Sequence, residues 1–342
     1  MKKLFTLLCL AVATQTFAQD KQSDELQGNM SRKVEAKNEG WTHGGLINIG
    51  LNQGMLENWA AGGERLSFAA NGQFNGFLAR VKGNTVWENT ADLYYGLNYI
   101  ASNNFVPRKL DDRIDLSTRY GVQPKKWTTS NSKIKRNTYL MGLFRAQSQF
   151  TEGYNYEQVG WQTNPISELL SPAYFTLALG AEYRPSKNFS VFFSPLAARL
   201  TTVKSRYTTL GSAFGVDKGK TTRFEIGAYL TAKYRTQITK NILYTTRLDM
   251  YSNYLAKNKV MPGGYTRKDS PGNVDIIWDN FFAMKISKYI GAGLGFTMIY
   301  DNDVPGQMNK TKKVNGVDVP SYGPLGWWQL KQVLNVGFSY KL

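Results

Sequence analysis

Apolar and polar residues alternate along most of the chain, and the last fifteen residues show the pattern most clearly. From Trp328 to Leu342, every second position is apolar apart from Gln332, and the positions between are polar or glycine apart from Val333. Side chains of a strand point alternately to opposite faces, so this period predicts a β-strand with one apolar face. Helical spacing fits none of the clearest segments.

The same period recurs in about twelve segments, which predicts an all-β chain. Many of these segments exceed ten residues, which is long for a soluble sandwich but suits a tilted membrane crossing. The predicted strands span approximately 43–52, 65–81, 85–100, 110–122, 138–150, 173–184, 189–203, 222–236, 242–254, 273–286, 290–301 and 326–342.

The connections between the predicted strands alternate in length. Short turns lie near 82–84, 185–188, 237–241 and 287–289, and longer loops lie near 53–64, 101–109, 151–172, 204–221, 255–272 and 302–325. A polar insert, Thr128 to Lys135, enlarges the turn at 123–137.

Short periplasmic turns and long extracellular loops are typical of outer-membrane barrels. The predicted fold is therefore a transmembrane antiparallel up-and-down β-barrel of about twelve strands. An even strand number would place both termini in the periplasm. A soluble β-sandwich is the alternative, because its strands alternate in the same way. Aromatic residues near strand ends favour the barrel, since such residues flank its apolar band: Trp41, Trp87, Trp127, Trp278, Trp327 and Trp328.

The first residues predict export. Lys2 and Lys3 precede an apolar run from Leu4 to Ala13, and a small-residue cleavage site ends at Ala18, as in a secretory signal peptide. Residues 19–40 are polar and predict a flexible periplasmic leader. The predicted organisation is a signal peptide at 1–18, the leader at 19–40 and the barrel at 41–342. Cys9, the only cysteine, falls inside the signal, so the exported chain would carry no thiol.

Charge and hydropathy narrow the expected partners. The formal charge is +17 and the mean hydropathy is −0.39, and in an exported chain this favours an anionic membrane surface over nucleic acid. Expected partners are outer-membrane lipid, the barrel-assembly machinery and, as a further hypothesis, another envelope protein. The assembly machinery would read the terminal strand, whose outward residues include Phe338, Tyr340 and Leu342.

Several segments resemble a family of exported bacterial proteins catalogued as a domain of unknown function, number 3078. They are Leu56 to Glu64, Asp111 to Leu116, Gly153 to Tyr156, Pro172 to Tyr174, Ala213 to Gly219 and Tyr251 to Leu255. The resemblance covers nearly all of 41–342 and implies an outer-membrane β-barrel. It implies no activity. The chain departs from the family in its longer 128–137 segment and in Leu342, where many such barrels end in an aromatic residue.

No segment predicts catalysis, a cofactor or a metal site. His43 is the only histidine, and an interfacial residue is favoured over a catalytic base. The glycines from Gly291 to Gly295 fall on successive inward positions and predict a smooth lumen wall rather than a phosphate loop. Asp301, Asn302 and Asp303, with Asp111 and Asp112, offer oxygen ligands for Ca²⁺ but lack the spacing of a calcium loop.

Charged residues on the inward faces form the most suggestive set. They are Glu88, Asp92, Arg113, Asp115, Arg119, Arg145, Glu182, Arg223, Glu225, Lys233, Arg247, Asp249, Asp275 and Asp279. They could line a selective pore or form an ion-paired network that fills the lumen. A filled lumen is slightly favoured, which predicts a non-enzymatic structural or accessory envelope protein. A small porin-like channel is the alternative, and a lipid-modifying barrel enzyme is a distant third.

Overall fold

The computed structural model describes residues 39–55, 66–156, 158–186, 188–260, 266–267, 270–287, 290–300, 310–314, 317–321 and 328–341. The predicted signal peptide with its cleavage site at Ala18, nearly all of the leader, Trp327, residues 301–303 and Leu342 lie outside these ranges. Within them, no helix is long and apolar enough to cross a membrane.

Twelve antiparallel strands form a closed barrel, which confirms the predicted fold class. They are β1 (Gly40–Met55), β2 (Leu66–Lys82), β3 (Thr85–Ile100), β4 (Arg108–Val122), β5 (Thr138–Ser148), β6 (Ala173–Ser186), β7 (Phe189–Thr202), β8 (Thr222–Thr239), β9 (Ile242–Asn253), β10 (Val274–Lys285), β11 (Ile290–Tyr300) and β12 (Trp328–Lys341). Each strand pairs with its neighbours in sequence, so the topology is up-and-down.

The barrel closes where β12 pairs with β1. Among the residues that the structure describes, the paired register runs from Leu46 to Gly50 on β1, against Gly337 to Lys341 on β12. On its other side, β1 pairs with β2 along its whole length, from Gly40 to Met55. The closing seam is therefore much shorter than the neighbouring ladder.

The two ends of the barrel differ as the sequence predicts. One end carries Gly40, Lys341 and the short hairpin turns, such as the two residues between Lys82 and Thr85. The insert between β4 and β5 also lies at this end, and it forms two short helices, Lys125–Thr128 and Lys133–Arg136, that the sequence pattern did not predict.

The long loops lie at the other end and contain short elements of their own. These are 3₁₀ helices Ala101–Asn103 and Trp161–Thr163, an α-helical turn Ser205–Thr208, and three small two-stranded sheets: Gly153–Tyr154 with Pro165–Ser167, Lys259–Val260 with Thr266–Arg267, and Lys310–Val314 with Val317–Ser321.

Strand alternation turns large apolar side chains outward around the barrel. Exposed examples are Leu116 on β4, Phe144 on β5, Leu177 and Leu179 on β6, Phe193 and Leu196 on β7, Phe224 on β8 and Phe338 on β12. The inward face is mostly polar, and it also holds an apolar cluster that includes Ala79, Val86, Met141, Phe192 and Tyr229. The barrel interior is packed rather than lined by charge alone.

The predicted strand boundaries were close but not identical to those observed. The first strand was predicted at 43–52 and runs from Gly40 to Met55. It therefore begins at Gly40, the last residue of the predicted leader. The eighth was predicted at 222–236 and continues to Thr239. Alternation weakens at strand ends, where fewer residues meet lipid, and the pattern alone therefore places ends poorly.

Candidate functional site in the barrel interior

Four charged side chains from three strands meet inside the barrel and form what we call the lumen cluster: Glu88, Arg119, Glu182 and Arg184. Arg119 contacts Glu88 at 3.3 Å and Glu182 at 2.7 Å. Arg184 contacts Glu88 at 3.0 Å and Glu182 at 2.6 Å. Two guanidinium groups and two carboxylates thus close a ring of ion pairs, and all four side chains are buried.

Alternation on the individual strands brings these residues together. Glu88 lies on β3 and Arg184 on β6, so their contact reaches past the two strands between them. Buried charges of this kind must be paired, because an isolated charge in a low-dielectric interior is very costly. The lumen cluster therefore ties one side of the barrel together through its interior.

Apolar and aromatic side chains pack around the lumen cluster. The Arg119 guanidinium lies 5.8 Å from the ring centroid of Phe192 and donates to the sulfur of Met141 at 2.9 Å. The Arg184 guanidinium lies 5.2 Å from the ring centroid of Tyr139. Such contacts exclude water, which strengthens the ion pairs and fixes the geometry of the two arginines.

A second group of contacts lies on β2 to β5, nearer to the long-loop end than the lumen cluster. Arg145 forms a bidentate ion pair with Asp115, with its Nε 2.9 Å and 3.1 Å from the two carboxylate oxygens. Gln147 donates to the same carboxylate at 3.2 Å. On β2 and β3, the Asn75 amide donates to Asp92 at 2.8 Å, and both residues are fully buried. The carboxylates of Asp115 and Asp92 therefore each accept a hydrogen bond directly from a neighbouring side chain.

The opposite side of the barrel carries a third group. Arg247 and Asp249, both on β9, form an ion pair at 2.5 Å, and Tyr229 on β8 donates to Asp249 at 3.0 Å. Arg113 on β4 and Asp279 on β10 are both buried, on strands six positions apart around the barrel, and Asp279 accepts a hydrogen bond from the hydroxyl of Thr297 on β11 at 3.1 Å.

A fourth group lies towards the long-loop end. Arg223 contacts Glu225 at 2.7 Å, and Asn253 donates to the same carboxylate at 3.0 Å. Arg199 on β7 lies 3.7 Å from Asp275 on β10, and its guanidinium stacks 3.9 Å from the ring centroid of Tyr251. This Arg199–Asp275 pair again joins strands that are not neighbours.

The structure places all fourteen predicted lumen charges at inward strand positions. Ten are buried and four are partly buried: Arg145, Arg223, Lys233 and Asp275. Their role in a pore or in a closed lumen stays a prediction. Sequence reasoning missed Arg184 and Arg199. Arg184 follows Glu182 by two residues on the same strand, so strict alternation could have found it. Arg199 follows an irregularity between Ser194 and Ala197 that reverses the inward phase of β7, so strict alternation from Ser194 would have placed it on the outward face.

The remaining candidates lie apart from these groups. His43 is exposed on the outward face of β1, opposite Leu78 of β2. Gly293 faces inward, and a Cβ added there would lie 2.6 Å from the Phe281 ring, so the glycine makes room for a neighbouring side chain.

Asp112, one of the acidic residues considered as a calcium ligand, has other partners. Asp112 is buried and accepts hydrogen bonds from the backbone amides of Phe150 and Thr151, at 2.7 Å and 2.8 Å, and from Lys109 at 3.1 Å. This carboxylate anchors the long loop after β5 instead of facing solvent. The described residues contain no group of acidic, histidine or cysteine side chains arranged for a metal.

The barrel is apolar outside and polar, ion-paired and packed inside, the reverse of a soluble barrel. Closure gives each wall strand a hydrogen-bonded neighbour on both sides, and the exposed apolar side chains on all sides suit hydrocarbon rather than water. The protein has the fold of an outer-membrane β-barrel.

Residues 51–154 match the family described as "Protein of unknown function (DUF3078)". The resemblance deduced from the sequence is therefore confirmed over this stretch, which includes the motifs from Leu56 to Glu64 and from Asp111 to Leu116. The motifs from Pro172 onward lie beyond the matched residues. No curated protein matches the chain.

Several solved barrels are similar in outline. The translocator domain of autotransporter NalP from Neisseria meningitidis aligns at a TM-score of 0.36 and 11% identity, covering 93% of this chain and 95% of its own. The NanC porin gives 0.35 and 9%, with coverages of 87% and 100%. An outer membrane channel from Pseudomonas putida F1 gives 0.37 and 8%, with coverages of 90% and 98%. At these scores the likenesses carry no argument about function.

Proposed function

We propose that this barrel is a non-enzymatic structural or accessory component of the bacterial outer membrane, with a lumen that is closed at rest. We further propose that both termini face the periplasm, because Gly40 and Lys341 lie at the end with the short turns. Its outer apolar face and its long loops would serve as docking surfaces for other envelope components.

The observation that carries this proposal is the filled interior. The lumen cluster joins β3, β4 and β6 through the lumen, and Arg199 with Asp275 joins β7 to β10. Adding Arg184 and Arg199 to the predicted set gives eight acidic and eight basic inward residues, so the charges of this set balance. A conducting pore needs an open path, and the paired, buried side chains of the lumen cluster support the proposal that this path is closed.

Planar-bilayer recording tests the closed state. We expect no reproducible conductance steps from the full-length protein. A variant with Glu88, Arg119, Glu182 and Arg184 all replaced by alanine keeps its net charge and should conduct. A control with Lys218 and Lys220 replaced by glutamine, in an exposed loop, should stay silent. Heat-modifiable migration on gels verifies that each variant is folded. Ion-selective steps from the unaltered protein would overturn the proposal.

A structural role also requires a partner, and its test is independent of conductance. Purification in mild detergent from cells that express the protein at its native level should recover a stoichiometric envelope protein. Recovery of the barrel without a partner would argue against a subunit role. The barrel would then act alone as a structural protein of the membrane.

A small channel for polar solutes is the second candidate. The observation in its favour is that the lining between the ion pairs is itself polar, with buried Gln73, Thr231 and Thr245. A lipid-modifying enzyme has less support, because His43, the only histidine, lies on the outer face.

A further inference from the structure

The insert between β4 and β5, residues 123–137, is the most basic segment at the short-turn end. It contains five cations and no acidic residue: Lys125, Lys126, Lys133, Lys135 and Arg136. All five side chains are exposed. Sequence alternation did not predict how they are displayed, since the insert is not a strand.

The insert is held firmly against the barrel. Gln123 donates its backbone amide to Asn84 at 2.8 Å, and the Asn84 amide group returns a hydrogen bond to the carbonyl of Gln123. The side chain of Gln123 donates to the carbonyl of Arg136, and Arg184 donates its backbone amide to Asn137 at 2.8 Å. These bonds fix both ends of the insert, so its cations are presented on a built surface.

Cations at the two ends of the barrel differ in their pairing. At the long-loop end, Lys204 and Arg206 contact Glu168 at 2.7 Å and 2.6 Å, and Lys220 contacts Asp217 at 3.2 Å. The five cations of the insert form no ion pair with any described residue. A fixed surface of cations without a counter-charge among the described residues favours an anionic ligand from outside the chain.

An apolar side chain projects from the same surface. Ile134 is 64% exposed and lies between Lys133 and Lys135. Outward Tyr120 lies three residues before Gln123, about 10 Å along a tilted strand, so the insert follows directly after an outward aromatic residue at this end of the barrel. Cations around an exposed apolar residue are typical of segments that lie in a membrane interface.

We propose that the insert binds the head groups of anionic phospholipids in the leaflet at the short-turn end. The cations would contact phosphate groups, and Ile134 would enter the acyl-chain boundary. Assignment of this leaflet as the periplasmic one rests on the orientation given under the proposed function; the lipid binding itself does not.

Native mass spectrometry of the folded full-length protein tests this surface. The protein in neutral detergent is offered equal amounts of phosphatidylglycerol and phosphatidylcholine. Each cation near an anionic surface contributes a factor of about five. Replacing all five insert cations with glutamine should therefore reduce the preference for phosphatidylglycerol at least about tenfold. A matched variant with Lys204, Arg206, Lys218, Lys220 and Lys257 replaced by glutamine should keep the preference.

Ile134→Ser provides a second readout that does not alter charge. It should weaken the binding of both lipids and leave their ratio unchanged. Equal preference in the five-glutamine variant and the unaltered protein would overturn the proposal, as would equal loss in the matched control. Absence of lipid preference together with tight binding of a polyglutamate peptide would also overturn it, and would favour an acidic protein ligand. Because conductance is not measured, failure here leaves the closed-lumen proposal standing.

Discussion

Two walls of the same barrel fill its interior in different ways. The charged wall, strands β3 to β10, carries the lumen cluster and the other buried ion pairs. The glycine wall, strands β11, β12 and β1, places Gly44, Gly50, Gly291, Gly293 and Gly337 at inward positions. The charged wall thus carries long inward side chains, and the glycine wall has several inward positions without a side chain.

The difference shows two ways in which the described strands fill space inside the barrel. Glycines leave space that neighbouring rings occupy: a Cβ at Gly44 would lie 2.6 Å from the Phe77 ring, and one at Gly293 equally close to Phe281. At Gly337 the added atom would meet the backbone of Ile49 at 2.7 Å, so β1 and β12 approach closely at the seam. The charged wall provides ion pairs. The glycine wall provides space for aromatic side chains and allows β1 and β12 to approach closely at the seam.

Removing one partner from the charged wall should have the largest effect. Arg184→Ala leaves Glu88 and Glu182 short of a counter-charge in a buried site, and we expect a loss of about 3–5 kcal/mol in the free energy of unfolding. Urea titration in detergent micelles measures it. Arg206→Ala, at an exposed ion pair of the loops, is the matched control and should change little. Similar losses for both arginines would remove the distinction between lumen and loop pairs.

Filling the glycine wall should have an intermediate effect. Gly293→Val forces the Phe281 ring to move, and overpacking of this kind costs about 1–3 kcal/mol. The same urea titration applies. Gly72→Ala, at a position where an added Cβ meets nothing within 4 Å, should be close to neutral. Phe281→Leu added to Gly293→Val should restore part of the loss, and a failure to do so would mean that the ring is not the obstacle.

The seam of the glycine wall can be tested by cross-linking in a Cys9→Ser background. Ile49 and Phe338 are paired across it, so Ile49→Cys with Phe338→Cys should form a disulfide. Leu51→Cys with Val336→Cys, just past the paired register, should form it less completely. Non-reducing gels compare the yields. Equal yields would show that the seam continues beyond Gly50, and the contrast between the seam and the β1–β2 ladder would be lost.

The smallest expected effect is a pH response at the long-loop end, where ion pairs contact water. Burial works against ionisation of Glu168, but a hydrogen bond from Lys204 and the charge of Arg206 outweigh it and lower the pKa of this carboxyl. The stabilisation is therefore present above the usual glutamate value of about 4.3 and is lost as pH falls through the lowered pKa.

When Glu168 is protonated, the loop that it holds should become more mobile. A spin label attached to the cysteine of Leu169→Cys, in the Cys9→Ser background, should report this as increased mobility at low pH. Lys204→Met should move the transition back towards the usual glutamate pKa. A label whose mobility does not change with pH would mean that Glu168 does not hold the loop.

The sequence supported the fold in detail. Alternation placed all twelve wall strands, and the short and long connections separated the two ends of the barrel. It also placed the fourteen predicted charges on inward faces, because the side-chain period of a strand is two. It missed Arg199, which lies beyond an irregularity between Ser194 and Ala197 where this period is interrupted. It failed at the insert, where the helices Lys125–Thr128 and Lys133–Arg136 are too short for any periodic signal.

What the sequence determined by itself, then, is which residues face lipid and which face the lumen, since that depends only on local strand geometry. Only the tertiary structure decided which charges meet. Glu88 and Arg184 are separated by 96 residues and by two intervening strands, and their contact depends on the stagger and curvature of the closed wall. The pairing of β1 with β12 over Leu46–Gly50 alone was likewise decided in three dimensions, because register across a closing seam is fixed by the whole barrel.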